Sequence, residues 1–120
     1  MGQDDKRATQ HLVDQHCKPC TEGTPPLKGH ELENMMSQIR DWDLVDEKLL
    51  TKTYKFEDYE SSLDFVDEVG ELAEQQGHHP EIHLSFGKVK IDLSTHKIGA
   101  LSENDFIMAA KIDEIAESEN

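Results

Sequence analysis

The sequence predicts an α+β domain: a four-stranded antiparallel sheet with three helices packed on one face, in the order α-β-β-α-β-β-α. Three observations carry this expectation. Apolar residues recur at helical spacing in three separate segments. Between them lie two pairs of short segments with period-two alternation. Each pair is joined by a connection short enough only for a hairpin, so the paired strands run antiparallel. A sheet with one apolar face must be covered, and three helices on one side suffice.

The first helix rests on Leu32, Met35, Met36 and Ile39, spaced i, i+3, i+4, i+7. Two extended stretches follow, Trp42 to Val45 and Lys48 to Phe56, flanking Asp46-Glu47 as the hairpin turn. In the second, Leu50, Tyr54 and Phe56 share one parity and Lys52 breaks it. The long helix follows over "EDYESSLDFVDEVGELAEQQG". Tyr59, Leu63, Val66, Gly70 and Ala73 form one row, and Phe65, Val69 and Leu72 the adjacent one, which together make a broad apolar face. Gly77 is expected as its C-terminal cap. After Pro80, Ile82, Leu84 and Phe86 alternate with Glu81, His83 and Ser85. Gly87 turns the chain, and Val89, Ile91 and Leu93 alternate with Lys88, Lys90 and Asp92. Ser102 and Asp105 resemble a capping box, opening a last helix whose apolar surface is Phe106, Ala109, Ala110, Ile112 and Ile115.

Residues 1–26 are polar and end in "TEGTPP", so they are expected as an arm draped on a single domain of residues 27–120. The 120 residues carry 26 acidic and 12 basic side chains, a net charge of −14. Such a charge repels nucleic-acid phosphates and anionic membranes, so neither is an expected partner. No apolar run approaches the roughly 20 residues of a membrane span, and the first ten residues have no apolar signal core. A cytoplasmic location is the expectation. Cys17 and Cys20 form a single "CKPC". His11 and His16 stand near enough in sequence to complete a zinc site, but the usual second C-x-x-C is missing, so free thiols are favoured.

The histidines are the chemical question. His78 and His79 precede Pro80, His83 follows, and His96 comes after the last strand. A zinc site is disfavoured, because Pro80 breaks any helical register between His79 and His83 and strand neighbours point to opposite sides. Histidines at a helix end are often merely solvated, where they favour the dipole when protonated. That reading suits His83, on the polar parity of its strand. It suits the others less well. In an antiparallel hairpin the start of one strand lies beside the end of the next. His78, His79 and His96 therefore meet at one end of the sheet, by the end of the long helix and the start of the last one. Clustered imidazoles suit acid–base chemistry near neutral pH.

Glu74, His78, His79, Pro80, Phe86, His96 and Asp105 follow a fixed spacing: an acidic residue, three residues, His-His-Pro, five to an aromatic, nine to His, eight to Asp. This resembles the pterin-4a-carbinolamine dehydratase family, over about residues 27–117 and including Trp42. The arm's "CKPC" is similar to one in many microbial members. The chain departs from the family's pattern at Gly77, Ile82 and Asn104, where relatives carry Asn or Asp, Trp and a basic residue. The resemblance implies dehydration of a 4a-hydroxytetrahydropterin to a quinonoid dihydropterin, in the recycling of tetrahydrobiopterin, with no metal or redox cofactor. It implies His78, His79 and His96 as catalytic residues and Glu74, Pro80 and Asp105 as contributors to substrate binding, with Glu74 and Asp105 candidates either to orient imidazoles or to bind the pterin's NH groups. It also implies a homodimer or homotetramer and a link to an aromatic amino acid hydroxylase. The family's second mode, a non-catalytic dimerisation or binding module or a molybdopterin-related assembly protein, is the alternative.

Overall fold

The computed structural model describes residues 12–19 and 21–119. Residues 1–11 of the arm, and with them His11, lie outside the described residues, as does Cys20. The elements are α1 (Gly29–Met36), β1 (Asp43–Val45), β2 (Leu49–Lys55), α2 (Tyr59–Gln76), β3 (Glu81–Ser85), β4 (Lys88–Leu93) and α3 (Glu103–Glu119). Single 3-10 turns stand at Leu12–Asp14 and His96–Ile98. This is the expected helix-strand-strand-helix-strand-strand-helix order. No helix among the described residues is long and apolar enough to cross a membrane.

The strands lie in the order β1-β2-β4-β3, with every neighbouring pair antiparallel. Leu50 faces Leu93, Tyr54 faces Val89, and Ile82 faces Ile91 across the ladders. The inward parity of β2 and β4 buries Leu50, Tyr54, Val89, Ile91 and Leu93 against Phe65 and Val69 of α2 and Phe106 and Ile112 of α3. The outward parity carries Lys88 and Lys90, which are exposed. The β1–β2 connection turns through Asp46 and Glu47, at φ 52° and 58°, with the Lys48 N–H donating to the Val45 carbonyl at 2.9 Å. Positive φ at both central residues is the type I′ geometry that matches the twist of the flanking strands.

Lys52 breaks the apolar parity of β2 because Asp113 of α3 receives it. The Lys52 Nζ lies 2.8 Å from Asp113 Oδ1 and donates to the Arg40 carbonyl at 3.0 Å. Asp113 also accepts from the Tyr54 hydroxyl and from Trp42 Nε1, the latter at 3.1 Å. Burial and the Asp113 carboxylate together hold the Tyr54 phenol well above its usual range.

Four local readings need correction. The first helix ends at Met36, because the chain tightens into i→i+3 bonds at Gln38 and Ile39. Ile39 still packs on the core from beyond the helix end. The long helix buries only the stripe through Ser62, Phe65, Val69 and Ala73, leaving Tyr59 at 46% and Leu63 at 42% exposure. Phe86 does not share the inward parity of Ile82 and Leu84. Ser85 pairs with Lys88, so Phe86 and Gly87 form the turn, and Phe86 is 71% exposed. Gly87 has φ 77°, and a side chain there would come within 3.3 Å of the Phe56 carbonyl oxygen. Finally, α3 buries Ile107 and Met108 as fully as Phe106 and Ile112. The sheet covers one side of this helix, and the 3-10 turn bearing the buried Leu12 packs on it as well.

The I′ turn predicts a stabilising substitution. Glu47 carries a side chain in the left-handed region, where the steric cost is about 1–2 kcal/mol. Glu47→Gly should raise the urea midpoint by the equivalent of about 1 kcal/mol, with the slope unchanged.

Candidate active site

The histidine cleft begins with the way α2 stops. Gly77 adopts the left-handed conformation, φ 68°, and its N–H returns to the Ala73 carbonyl at 2.9 Å. Asn and Asp are the other residue types that visit this region readily. The reversal throws His78 back across the N-terminus of α3. There His78 Nε2 lies 2.6 Å from Asp105 Oδ1. Asp105 is fully buried and uses both oxygens. Its Oδ2 accepts from the Thr95 hydroxyl at 2.7 Å and from the Ser102 N–H at 3.0 Å. The Ser102 hydroxyl lies 2.8 Å from the Thr95 oxygen. Since the single Thr95 proton is committed to Asp105, Ser102 is the donor of that contact.

The carboxylate fixes the imidazole. Asp105 accepts, so Nε2 of His78 carries the hydrogen, and in the neutral ring Nδ1 holds the lone pair. His79 is treated similarly but in the open: its Nε2 lies 2.8 Å from Glu74 Oε2, with both side chains exposed. His96 opens the 3-10 turn that follows β4 and is exposed. All three histidines line one cleft of about 610 Å³. The expected convergence at one end of the sheet is therefore found.

The other expected site residues fall elsewhere. Asp105 stands buried behind His78 and is not among the lining residues; of its two expected roles, the geometry fits the orienting of an imidazole. Glu74 reaches the rim through His79. Pro80 leads into β3 and is not among the lining residues. Ile82 packs against the core and is not among the lining residues. His83 points to the solvent face of the sheet, where its Nε2 lies 3.4 Å from Asp92 and 3.7 Å from Glu81. The donor atoms of these three residues lie within 4.8 Å of one another, and none of the three lines the histidine cleft.

Sequence reasoning missed one wall. Cys17, Lys18 and Pro19 of the arm line the cleft together with the histidines. They are held by side chains flanking the site. The Cys17 N–H donates to Gln76 Oε1 at 2.8 Å. Asn104, buried next to Asp105, accepts from the Lys18 N–H at 2.9 Å and donates to the Lys18 carbonyl at 2.6 Å. The one available signal was Asn104: a neutral amide can pair with both the N–H and the carbonyl of one residue, and a side chain with donors alone cannot.

Comparison with known proteins gives the family. The family model described as pterin 4 alpha carbinolamine dehydratase matches residues 25–115. A Rubrobacter xylanophilus relative whose name assigns it to the pterin-4-alpha-carbinolamine dehydratases is 47% identical over 104 residues, covering 87% of this chain and 97% of that protein. A Methylococcus capsulatus relative of the same name is 45% identical over 106 residues, covering 88% and 93%. Among solved structures, a transcriptional coactivator/pterin dehydratase from Brucella melitensis superposes with a TM-score of 0.72 at 29% identity, covering 77% of this chain and 99% of that one. A pterin dehydratase-like protein identified as a RuBisCO assembly factor in the alpha-carboxysome gives a TM-score of 0.57 at 28% identity, covering 64% and 90%. With a cleft of three histidines, a buried aspartate behind the first, and a family match running from before α1 well into α3, this chain belongs to the pterin-4a-carbinolamine dehydratase family.

Proposed function

We propose that the protein is an enzyme that dehydrates 4a-hydroxytetrahydropterins to quinonoid dihydropterins, by histidine acid–base catalysis, within tetrahydrobiopterin recycling in the cytoplasm. The observation that carries this reading is the shared cleft of His78, His79 and His96, with Asp105 behind His78. The names of the relatives support it. The reaction breaks the C4a–O bond, releases the hydroxyl as water and removes the proton on N5. It changes no oxidation state between substrate and products taken together, so the mechanism needs no redox cofactor.

Two groups suffice. Asp105 orients His78 with its lone pair on Nδ1, which suits it to take the N5 proton. His96, which lines the same cleft, is the donor to the departing hydroxyl. His79 contacts the pterin and is steadied by Glu74. An aromatic amino acid hydroxylase would supply the substrate. Assembly follows the same reasoning: β1 and β3 are sheet edges, and Tyr59 and Leu63 expose apolar surface along α2. Proteins usually pair or cover such surfaces, which supports a homodimer or homotetramer. The assembly-factor and coactivator names of the two structural relatives favour a binding module as the second reading.

Four outcomes are expected. The purified protein should accelerate loss of a 4a-hydroxypterin generated in situ and keep that activity after chelation; no acceleration over the spontaneous reaction would leave the binding module as the reading. His78→Ala or His96→Ala should lower kcat by about 10- to 10⁴-fold, His79→Ala should act mainly on KM, and His83→Ala should be nearly silent. In Asp105→Asn the amide can present an N–H to His78 Nε2 and move the imidazole proton to Nδ1, so kcat should fall about 10²-fold with the helical circular dichroism retained. Light scattering at micromolar concentration should give an oligomer; a monomer would overturn that part.

A further inference from the structure

The histidine cleft has a neighbour. Lys18, Pro19 and Asn104 line the cleft, and the same three residues line a second cavity. The histidine cleft measures about 610 Å³ and the second cavity about 320 Å³. Pro25, Pro26 and Leu27, and no described histidine, line the second one. The Lys18–Pro19 segment of the arm and the Asn104 side chain therefore stand as a partition between the two spaces.

Packing does little to hold this partition, since Lys18 and Pro19 are both exposed. Hydrogen bonds hold it. The buried Asn104 amide accepts from the Lys18 N–H at 2.9 Å and donates to the Lys18 carbonyl at 2.6 Å. One residue earlier, the Cys17 N–H donates to Gln76 Oε1 at 2.8 Å. Pro19 stiffens the backbone just past the clamped residue and restricts Lys18 as well. Less conformational freedom is then left for the clamp to remove.

A flat ring is held against the histidines only if the cleft keeps its width. With the partition loose, the two cavities merge, and each binding event must order the arm again at the expense of affinity. We propose that the arm is a working part of the site: Asn104 and Gln76 are positioning residues that fix Cys17, Lys18 and Pro19 as a preformed wall, and the wall sets the affinity for the pterin ring. This rests on the pterin reading above and adds to it the element that holds the substrate. The arm's wall lies before residue 25, where the family match begins. Acid–base chemistry stays with the histidines, so the arm acts on binding and not on the chemical step.

Asn104→Ala tests it in the full chain, with the fold checked by circular dichroism. Hydrogen exchange should show the Cys17 and Lys18 amides losing protection while the amides of α3 keep theirs. A stable, fully oxidised pterin with a hydroxyalkyl side chain, titrated by fluorescence, should bind about tenfold more weakly. KM for the carbinolamine should rise by a similar factor, with kcat changing less than about threefold. Gln76→Leu should move both constants the same way, and it carries the test by itself if Asn104→Ala does not fold. Because both residues act through one wall, the double variant should bind little more weakly than the weaker single one. Additive losses would mean that each side chain meets the ligand for itself, and would overturn the proposal. So would affinity and KM that stay unchanged once the Lys18 amide is exposed, a Lys18 amide that stays protected, or a fall in kcat at constant KM. If the unaltered protein dehydrates the carbinolamine and the variants match it, the proposed activity stands and this inference alone fails. If the unaltered protein binds the oxidised pterin without turning over the carbinolamine, the activity fails and the binding constants still decide this inference. If it does neither, both fail.

Discussion

The site depends on one buried carboxylate. Asp105 has no solvent to satisfy it, so its oxygens must find donors within the fold. The three it finds come from three different elements: His78 from the segment after α2, Thr95 from the end of β4, and the Ser102 N–H at the start of α3. Its own backbone N–H returns to the Ser102 carbonyl at 3.1 Å. Removing the acceptor would strand several buried donors at once, each costing about 1–3 kcal/mol. The same carboxylate thus closes the helix N-terminus, ties the sheet to it and selects the tautomer of His78. Stability and chemistry cannot be separated at this residue, because the fold's demand for a buried acceptor is met by the atom that orients the imidazole.

The arm extends this logic outward. Gln76 and Asn104 are the residues that hold Cys17 and Lys18, and each stands within two residues of the His78–Asp105 pair. Farther along, the Lys111 Nζ donates to the Val13 carbonyl at 2.7 Å, and Leu12 is buried. A segment with little periodic pattern of its own is therefore ordered by side chains that belong to the domain. It repays them by burying the outer side of α3, which explains how that helix carries apolar residues nearly all round.

At the other end of the sheet, Asp113 plays a comparable part without a histidine. It gathers Trp42, Lys52 and Tyr54 from the β1–β2 region onto α3. The ammonium of Lys52 also lies 4.9 Å from the centre of the Tyr54 ring and 5.8 Å from that of Trp42, within cation–π reach. This anchors α3 at its far end, so the helix bearing Asp105 is fixed at two separated points. The geometry of the cleft is correspondingly a property of the whole α3–sheet unit and not of the loop that carries His96.

The element order, the antiparallel hairpins, the Asp46-Glu47 turn, the Gly77 cap and the meeting of His78, His79 and His96 were all legible in the sequence. Each follows from short-range rules: the period of apolar residues, the conformational freedom of glycine, the antiparallel return of a hairpin. What the tertiary structure decided is everything that depends on which surface a residue meets. The alternation of Ile82 and Leu84 runs on to Phe86, and only the pairing of Ser85 with Lys88 puts that ring in the turn. Tyr59 and Leu63 share a row with Ala73, and only the position of α3 and the sheet buries one and exposes the others. Lys52 looked like an error of parity until Asp113 arrived from 61 residues away. Asp105 carried the family spacing but gave no hint that it would be buried, because a carboxylate is tolerated in a core only when distant donors converge on it, and no local pattern records their convergence.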